Sequence, residues 1–138
     1  MPERRILIVD DQPEIAELTA VVLSGAGYAV ATARSGVEAL EHVAASHFDL
    51  VLLDINMPEM DGWETLRLIR ADASLRDLPV VMFSVKNEIR DRVFGLQGGA
   101  MDYITKPYEV DQLLFRVRRV LDPARGGLPP RSTPQAEV

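Results

Sequence analysis

Five positions able to do chemistry stand at the ends of short apolar runs. Asp10 and Asp11 follow Ile6-Leu7-Ile8-Val9, Asp54 follows Leu50-Val51-Leu52-Leu53, Ser84 closes Val80-Val81-Met82-Phe83, and Lys106 comes after Tyr103-Ile104-Thr105. Carboxylates held within a few ångströms of each other repel, so one takes up a proton or a cation settles among them. Donors that are all oxygen suit Mg²⁺, which prefers octahedral oxygen coordination and keeps several waters. A carboxylate beside such an ion can attack phosphorus, because the metal neutralises charge on the phosphoryl oxygens. Lys106 would add a second positive charge and Ser84 a hydroxyl donor.

Each residue also has an ordinary use. Asp11, ahead of Gln12-Pro13, could cap a helix. Asp54 could open a turn, Ser84 could cap the helix after it, and Lys106 could be a solvated surface lysine. Turn chemistry chosen independently at each place gives no reason for all of them to meet at one sheet edge.

Meeting there requires a parallel sheet, whose ligands bind beyond the carboxyl ends of the strands where strand order reverses. The chain has the pattern for one, because short apolar runs alternate with longer amphipathic ones. Strands are expected at Arg5–Asp10, Tyr28–Ala33, Asp49–Asp54, Pro79–Ser84 and Met101–Thr105, with Leu50–Leu53 and Val80–Phe83 buried on both faces. Pro13 starts a first helix that ends near Gly25 and Gly27, with Ile15, Leu18 and Val22 as its inner face. Ser35-Gly36-Val37-Glu38 and Asp61-Gly62-Trp63-Glu64 have the spacing of capped helix starts. A fourth helix is expected from about Asn87 to Gln97, and a fifth from about Glu109 to Leu121 with Val110, Leu113, Leu114 and Val117 as its stripe. From Asp122 to Val138 prolines and glycines replace apolar residues, so residues 1–121 read as one domain and 122–138 as a flexible tail or linker.

Composition narrows the class further. With 138 residues, 47% of them hydrophobic, the chain suits one globular domain. It has no cysteine, hence no disulfide framework or thiolate metal site. Ile6–Val9 is too short for a signal peptide, and no run reaches membrane-spanning length, so a cytoplasmic location and no membrane contact are expected. A formal charge of −6 argues against direct nucleic-acid binding by this chain, its basic character being local to Arg116, Arg118 and Arg119.

Ile6-Leu7-Ile8-Val9-Asp10-Asp11, Leu53-Asp54-Ile55-Asn56-Met57-Pro58-Glu59-Met60-Asp61-Gly62, Ser84 and Tyr103-Ile104-Thr105-Lys106-Pro107 together resemble the receiver domain of bacterial two-component response regulators, over roughly residues 4–121. The resemblance implies a flavodoxin-like α/β fold with strand order 2-1-3-4-5 and five helices. It makes Asp54 the phosphoacceptor for a sensor histidine kinase or a histidine phosphotransfer protein in a phosphorelay. Mg²⁺ or Mn²⁺ would be held by Asp11, Asp54 and the Asn56 backbone carbonyl, with Asp10 acting through a water. Lys106 would pair with the phosphoryl group, Ser84 would hydrogen-bond it, and Tyr103 would follow Ser84 as the switch aromatic. Met57-Pro58 would shape the loop after Asp54, and Lys106-Pro107 would be cis. No enzymatic turnover beyond its own phosphorylation and dephosphorylation is implied. The family often has a small residue after the Ser/Thr, where this chain has Val85 and then Lys86, which would border the phosphoryl group and bear on how long it survives.

The stretch from Asp91 to Val117 is similar to receivers that precede a winged-helix DNA-binding domain. In those, the fourth helix, fifth strand and fifth helix form a homodimer face, to which Arg92, Asp102 and Arg116 would correspond. Gln112 stands where an acidic residue is usual, and the arginines equally suit a helix C-terminus. Two other classes fit the residues less well. An aspartyl-phosphate hydrolase needs a general-acid aspartate two residues after its nucleophile, where this chain has Asn56. A phosphorylation-independent docking domain has no use for Asp10, Asp11, Asp54, Ser84 and Lys106 together.

Overall fold

Five parallel strands, β1 (Arg5–Val9), β2 (Ala29–Ala33), β3 (Leu50–Asp54), β4 (Val80–Ser84) and β5 (Asp102–Thr105), pair in the order β2-β1-β3-β4-β5. The computed structural model describes residues 3–84 and 99–122. Each strand lies within a residue of its expected bounds, and the strand order is the one the resemblance implied.

Alternation along the strands sorts the core into two layers. Leu7, Val9, Val51, Leu53, Val80 and Met82 face one way and pack with Ala39 and Val43 of α2 (Gly36–Ala45) and Leu66 and Ile69 of α3 (Gly62–Ala71). Ile6, Ile8, Leu50, Leu52, Val81 and Phe83 face the other way, against Ala16 and Leu23 of α1 (Pro13–Gly25) and Leu113, Val117 and Leu121 of the C-terminal helix (Val110–Leu121). Both faces of β1, β3 and β4 are covered, which is why those runs are continuously apolar rather than alternating.

Local signals explain the helix starts. Ser35 accepts a hydrogen bond from the Glu38 N–H at 3.1 Å, and Asp61 accepts one from the Glu64 N–H at 2.9 Å. Glu38 reaches back to the Arg34 N–H rather than to that of Ser35. Gly27, with φ of +100°, carries the chain out of α1 in a conformation that a side chain would disfavour.

One alternative use of a site residue falls away, and two expectations need correction. Asp11 does not cap α1, because Gln12 is the N-cap residue and makes no side-chain cap bond. Leu18 is 58% exposed, and α1 instead buries Ala16, Thr19 and Leu23. The inner face includes a threonine whose hydroxyl is satisfied internally, so hydrophobicity alone rotates the helix the wrong way. Val110, at the first turn of the C-terminal helix, is 48% exposed for a simpler reason: the buried stripe begins one turn later, at Leu113. The fourth helix expected at Asn87–Gln97 and the tail from Pro123 onward lie outside the described residues, and four α-helices stand among those described.

Candidate functional site

The carboxyl ends of β1 and β3 lie side by side where strand order turns back on itself, and Lys106 reaches them from beyond β5, on the far side of β4. Asp10 and Asp11 follow β1, Asp54 ends β3, and Lys106 follows β5. One carboxylate oxygen from each of Asp10, Asp11 and Asp54 lies within 4.8 Å of the others, with Asp10 and Asp54 buried and Asp11 half-buried. The Lys106 ammonium, 6% exposed, sits 2.6 Å from Asp10 Oδ2 and 3.5 Å from Asp54 Oδ1. Asp10 is held from its other oxygen by the Gln12 N–H at 3.0 Å, and Asp54 Oδ1 accepts the Asn56 N–H at 3.4 Å.

Burial pushes the Asp54 carboxyl up from 3.8 to about 6, and the Asp10 charge adds to the rise, while Lys106 and the Asn56 N–H oppose it. One ammonium thus serves two buried carboxylates, and a third stands beside them. Among the described residues the pocket is short of positive charge, and its donors are oxygens, which suits a hard divalent cation.

The loop after Asp54 is folded tightly back onto the strand. Gly62 N–H donates to Ile55 O at 2.9 Å, and a Cβ on Gly62 would collide with the Asp54 backbone oxygen and come within 2.7 Å of Ile55 Cα. Glu59 takes a left-handed φ of 66° in this loop. Because the Gly62 neighbour is backbone and cannot rotate away, Gly62→Ala should destabilise the fold by roughly 1–3 kcal/mol, as overpacking does. Urea unfolding measures this, and an unchanged midpoint would show that the loop yields freely.

A family model, the response regulator receiver domain, matches residues 6–118. The chain belongs to this family. The receiver is 43% identical over 115 residues to the DNA-binding response regulator MtrA of Mycolicibacterium smegmatis, covering 83% of this chain and 49% of that protein. It is 38% identical over 117 residues to the DNA-binding dual master transcriptional regulator RpaA of Synechocystis, covering 85% of this chain and 48% of the relative. The chain therefore spans about half the length of these curated relatives. Among solved structures, the chemotaxis protein CheY4 of Vibrio cholerae superposes with a TM-score of 0.83 at 32% identity, covering 87% of this chain and all of that one.

In the receiver, Asp10, Asp11, Asp54 and Lys106 come together as the sequence suggested, and the Lys106-Pro107 peptide is cis. Asn56 stands two residues after Asp54 in the loop, its backbone N–H donating to the carboxylate. Ser84 ends β4 in register with Thr105, next to the site. Tyr103 is buried in the layer under α2 and α3. Asp102 and Arg116, both expected on a dimer face, pair with each other within the chain at 2.9 and 3.0 Å. Arg92, Val85 and Lys86 lie outside the described residues. Sequence reasoning missed that Lys106 rests on Asp10 directly, and it missed the aromatic pair Phe83 and Tyr108 beside the ammonium. The signal for the latter was an aromatic residue right after Lys106-Pro107.

Proposed function

We propose that the chain is a phosphorylation switch that accepts a phosphoryl group on Asp54 from the phosphohistidine of a sensor histidine kinase or histidine phosphotransfer protein. The observation that carries this reading is the Asp54 carboxylate, 4% exposed at the tip of β3, beside one ammonium and two further carboxylates. Asp10, Asp11, Asp54 and the Asn56 carbonyl would hold Mg²⁺ or Mn²⁺, which when bound neutralises charge on the phosphoryl oxygens.

An Asp54 carboxylate oxygen forms the new bond to phosphorus as the bond from phosphorus to the donor imidazole nitrogen breaks. The imidazole leaves with the electron pair and regains a proton from solvent. Lys106, already within 3.5 Å of Asp54, supplies charge to the arriving oxygens, and Ser84 supplies a hydroxyl. Tyr103 would then follow Ser84, changing the surface formed by β5, the C-terminal helix and the segment that precedes β5.

Residues 1–121 form the receiver in this reading, and 122–138 a linker or tail. The two relatives above are named as DNA-binding and are about twice as long as the stretch matched, which supports a DNA-binding output joined to or served by the receiver. Among the described residues no helix is long and apolar enough to cross a membrane, which agrees with a cytoplasmic role.

Mass spectrometry after incubation with acetyl phosphate and Mg²⁺ tests the proposal. One phosphoryl group should appear on the wild type, none without the metal, and none on Asp54→Asn. Equal labelling of the variant would move the acceptor elsewhere.

Divalent-ion affinity should also fall as the solution is acidified through about pH 6, where Asp54 takes up its proton. Below that the loss should approach about tenfold per pH unit, since one proton is displaced per ion bound. Fluorescence of Trp63, the single tryptophan, follows the titration. Equal affinity at pH 5 and at pH 8, conditions about one unit or more either side of that value, would rule out a carboxylate site.

A further inference from the structure

Tyr108 lies outside the phosphoryl chemistry yet reaches it through one intervening ring. Its hydroxyl is 2.8 Å from Thr19 Oγ1 on α1. Thr19 is fully buried, so its hydroxyl needs an internal partner, and Tyr108 supplies it. The Tyr108 ring stacks on Phe83, with centroids 5.5 Å apart and planes 16° apart, within the range of favourable aromatic pairs.

Phe83 is itself a close neighbour of the acceptor. It stands in register with Asp54 across β3 and β4, and its carbonyl accepts the Ile55 N–H at 2.9 Å. The Lys106 ammonium is 5.3 Å from the centroid of the Phe83 ring, within reach of its negative face. Thr19, Tyr108, Phe83 and Lys106 therefore form a continuous run of contacts from the middle of α1 to the acid pocket.

A lysine stem is flexible, and here its head has two carboxylates to choose between, Asp10 at 2.6 Å and Asp54 at 3.5 Å. An aromatic face beside it limits where the head can sit, provided that the ring is held. We propose that Tyr108 is a positioning residue for Lys106: its ring, pinned to α1 by Thr19, braces Phe83 and thereby fixes the ammonium between Asp10 and Asp54. The effect on phosphorylation rate rests on the phosphoacceptor reading above, whereas the effect on the ammonium does not.

The chain contains two lysines, Lys86 and Lys106, so a ¹⁵N–¹H spectrum of side-chain ammonium groups recorded on Lys86→Arg isolates the Lys106 signal. Tyr108→Leu, which removes the ring, should move that signal and lower the maximal rate of labelling by acetyl phosphate about fivefold, with the half-saturating donor concentration unchanged. Tyr108→Phe keeps the stack and loses only the hydrogen bond, so it should lower the rate about twofold. Thr19→Val should match it, and the double variant Thr19→Val/Tyr108→Phe should be no worse than either alone, because both remove one contact. If the Lys106 signal and the rate stay put in every variant while only the melting temperature falls, Tyr108 is merely structural and the proposal fails. Additive losses in the double variant overturn it too, since the two hydroxyls would then act separately. A wild type that accepts no phosphoryl group, together with a displaced Lys106 signal in Tyr108→Leu, would uphold the positioning role and sink the phosphoacceptor reading instead.

Discussion

In metal-free buffer at neutral pH, Asp54→Asn should be more stable than the wild type by about 3 kcal/mol, each pKa unit being worth roughly 1.4 kcal/mol. The cause is the environment that raises the Asp54 carboxyl from 3.8 to about 6: burial first, then the Asp10 charge. A group whose pKa is raised by folding favours the folded state when protonated. Its contribution is present in full below the ordinary value of 3.8 and is lost as the pH climbs through about 6. Asparagine never ionises, so the variant escapes that loss, and its oxygen can still accept the Asn56 N–H. Urea unfolding in a chelator at a series of pH values should show two curves that coincide in acid and diverge between about pH 4 and pH 7. Mg²⁺ should narrow the gap by stabilising only the wild type, because the ion binds the folded carboxylate. A variant no more stable than the wild type at neutral pH would mean that Lys106 fully compensates the buried charge.

The same residue shows why the site could be read early. Carboxylates gathered at one sheet edge must interrupt apolar strands at their ends, and Leu53-Asp54 or Val9-Asp10 is a break that no packing requirement explains. The strands were equally plain. β1, β3 and β4 are covered on both faces, so their composition needs no alternation to be recognised, and each ends within a residue of the expected place. Caps at Ser35 and Asp61 involve residues three apart, and contacts of that range are written in adjacent letters.

What could not be read depends on partners far apart in the chain. Thr19 is buried on α1 because Tyr108 meets it from 89 residues away, and a polar residue on an inner face has no local mark. Without that knowledge Leu18 looks like the better core residue, and it is 58% exposed. Lys106 resting on Asp10 spans 96 residues, and which of several carboxylates an ammonium chooses is a matter of fractions of an ångström. Asp102 and Arg116 match a homodimer face by resemblance, and within one chain they pair with each other across 14 residues, a contact that adjacent letters do not mark.

Removing the ammonium should have the largest effect of any single change in the pocket. Asp10 and Asp54 are both buried, and among the described residues Lys106 is the cation within ion-pair distance of each. Lys106→Met keeps most of the stem's apolar volume and takes from the carboxylates their ion pair, leaving the bonds from the Gln12 and Asn56 N–H groups. Stripping one partner from a buried pair costs about 3–5 kcal/mol, and here at neutral pH and without metal the upper half of that range is expected. The sign with pH is definite. Loss of the ammonium raises the Asp54 carboxyl further, because Lys106 is the main influence that lowers it. The variant's deficit should therefore be greatest at neutral pH and shrink in acid, where a proton replaces the missing cation. Mg²⁺ should act as the proton does. The ion and the ammonium contend for the same oxygens, so the variant should bind Mg²⁺ several-fold more tightly than the wild type and recover much of its stability in the metal's presence. Phosphoryl uptake should nevertheless fall, since the arriving oxygens lose one of their two sources of positive charge. Calorimetric titration with Mg²⁺ and thermal melts with and without a chelator separate these effects. If Lys106→Met binds Mg²⁺ more weakly than the wild type, the ammonium organises the carboxylates instead of competing for them, and the account of the pocket as one short of positive charge is wrong.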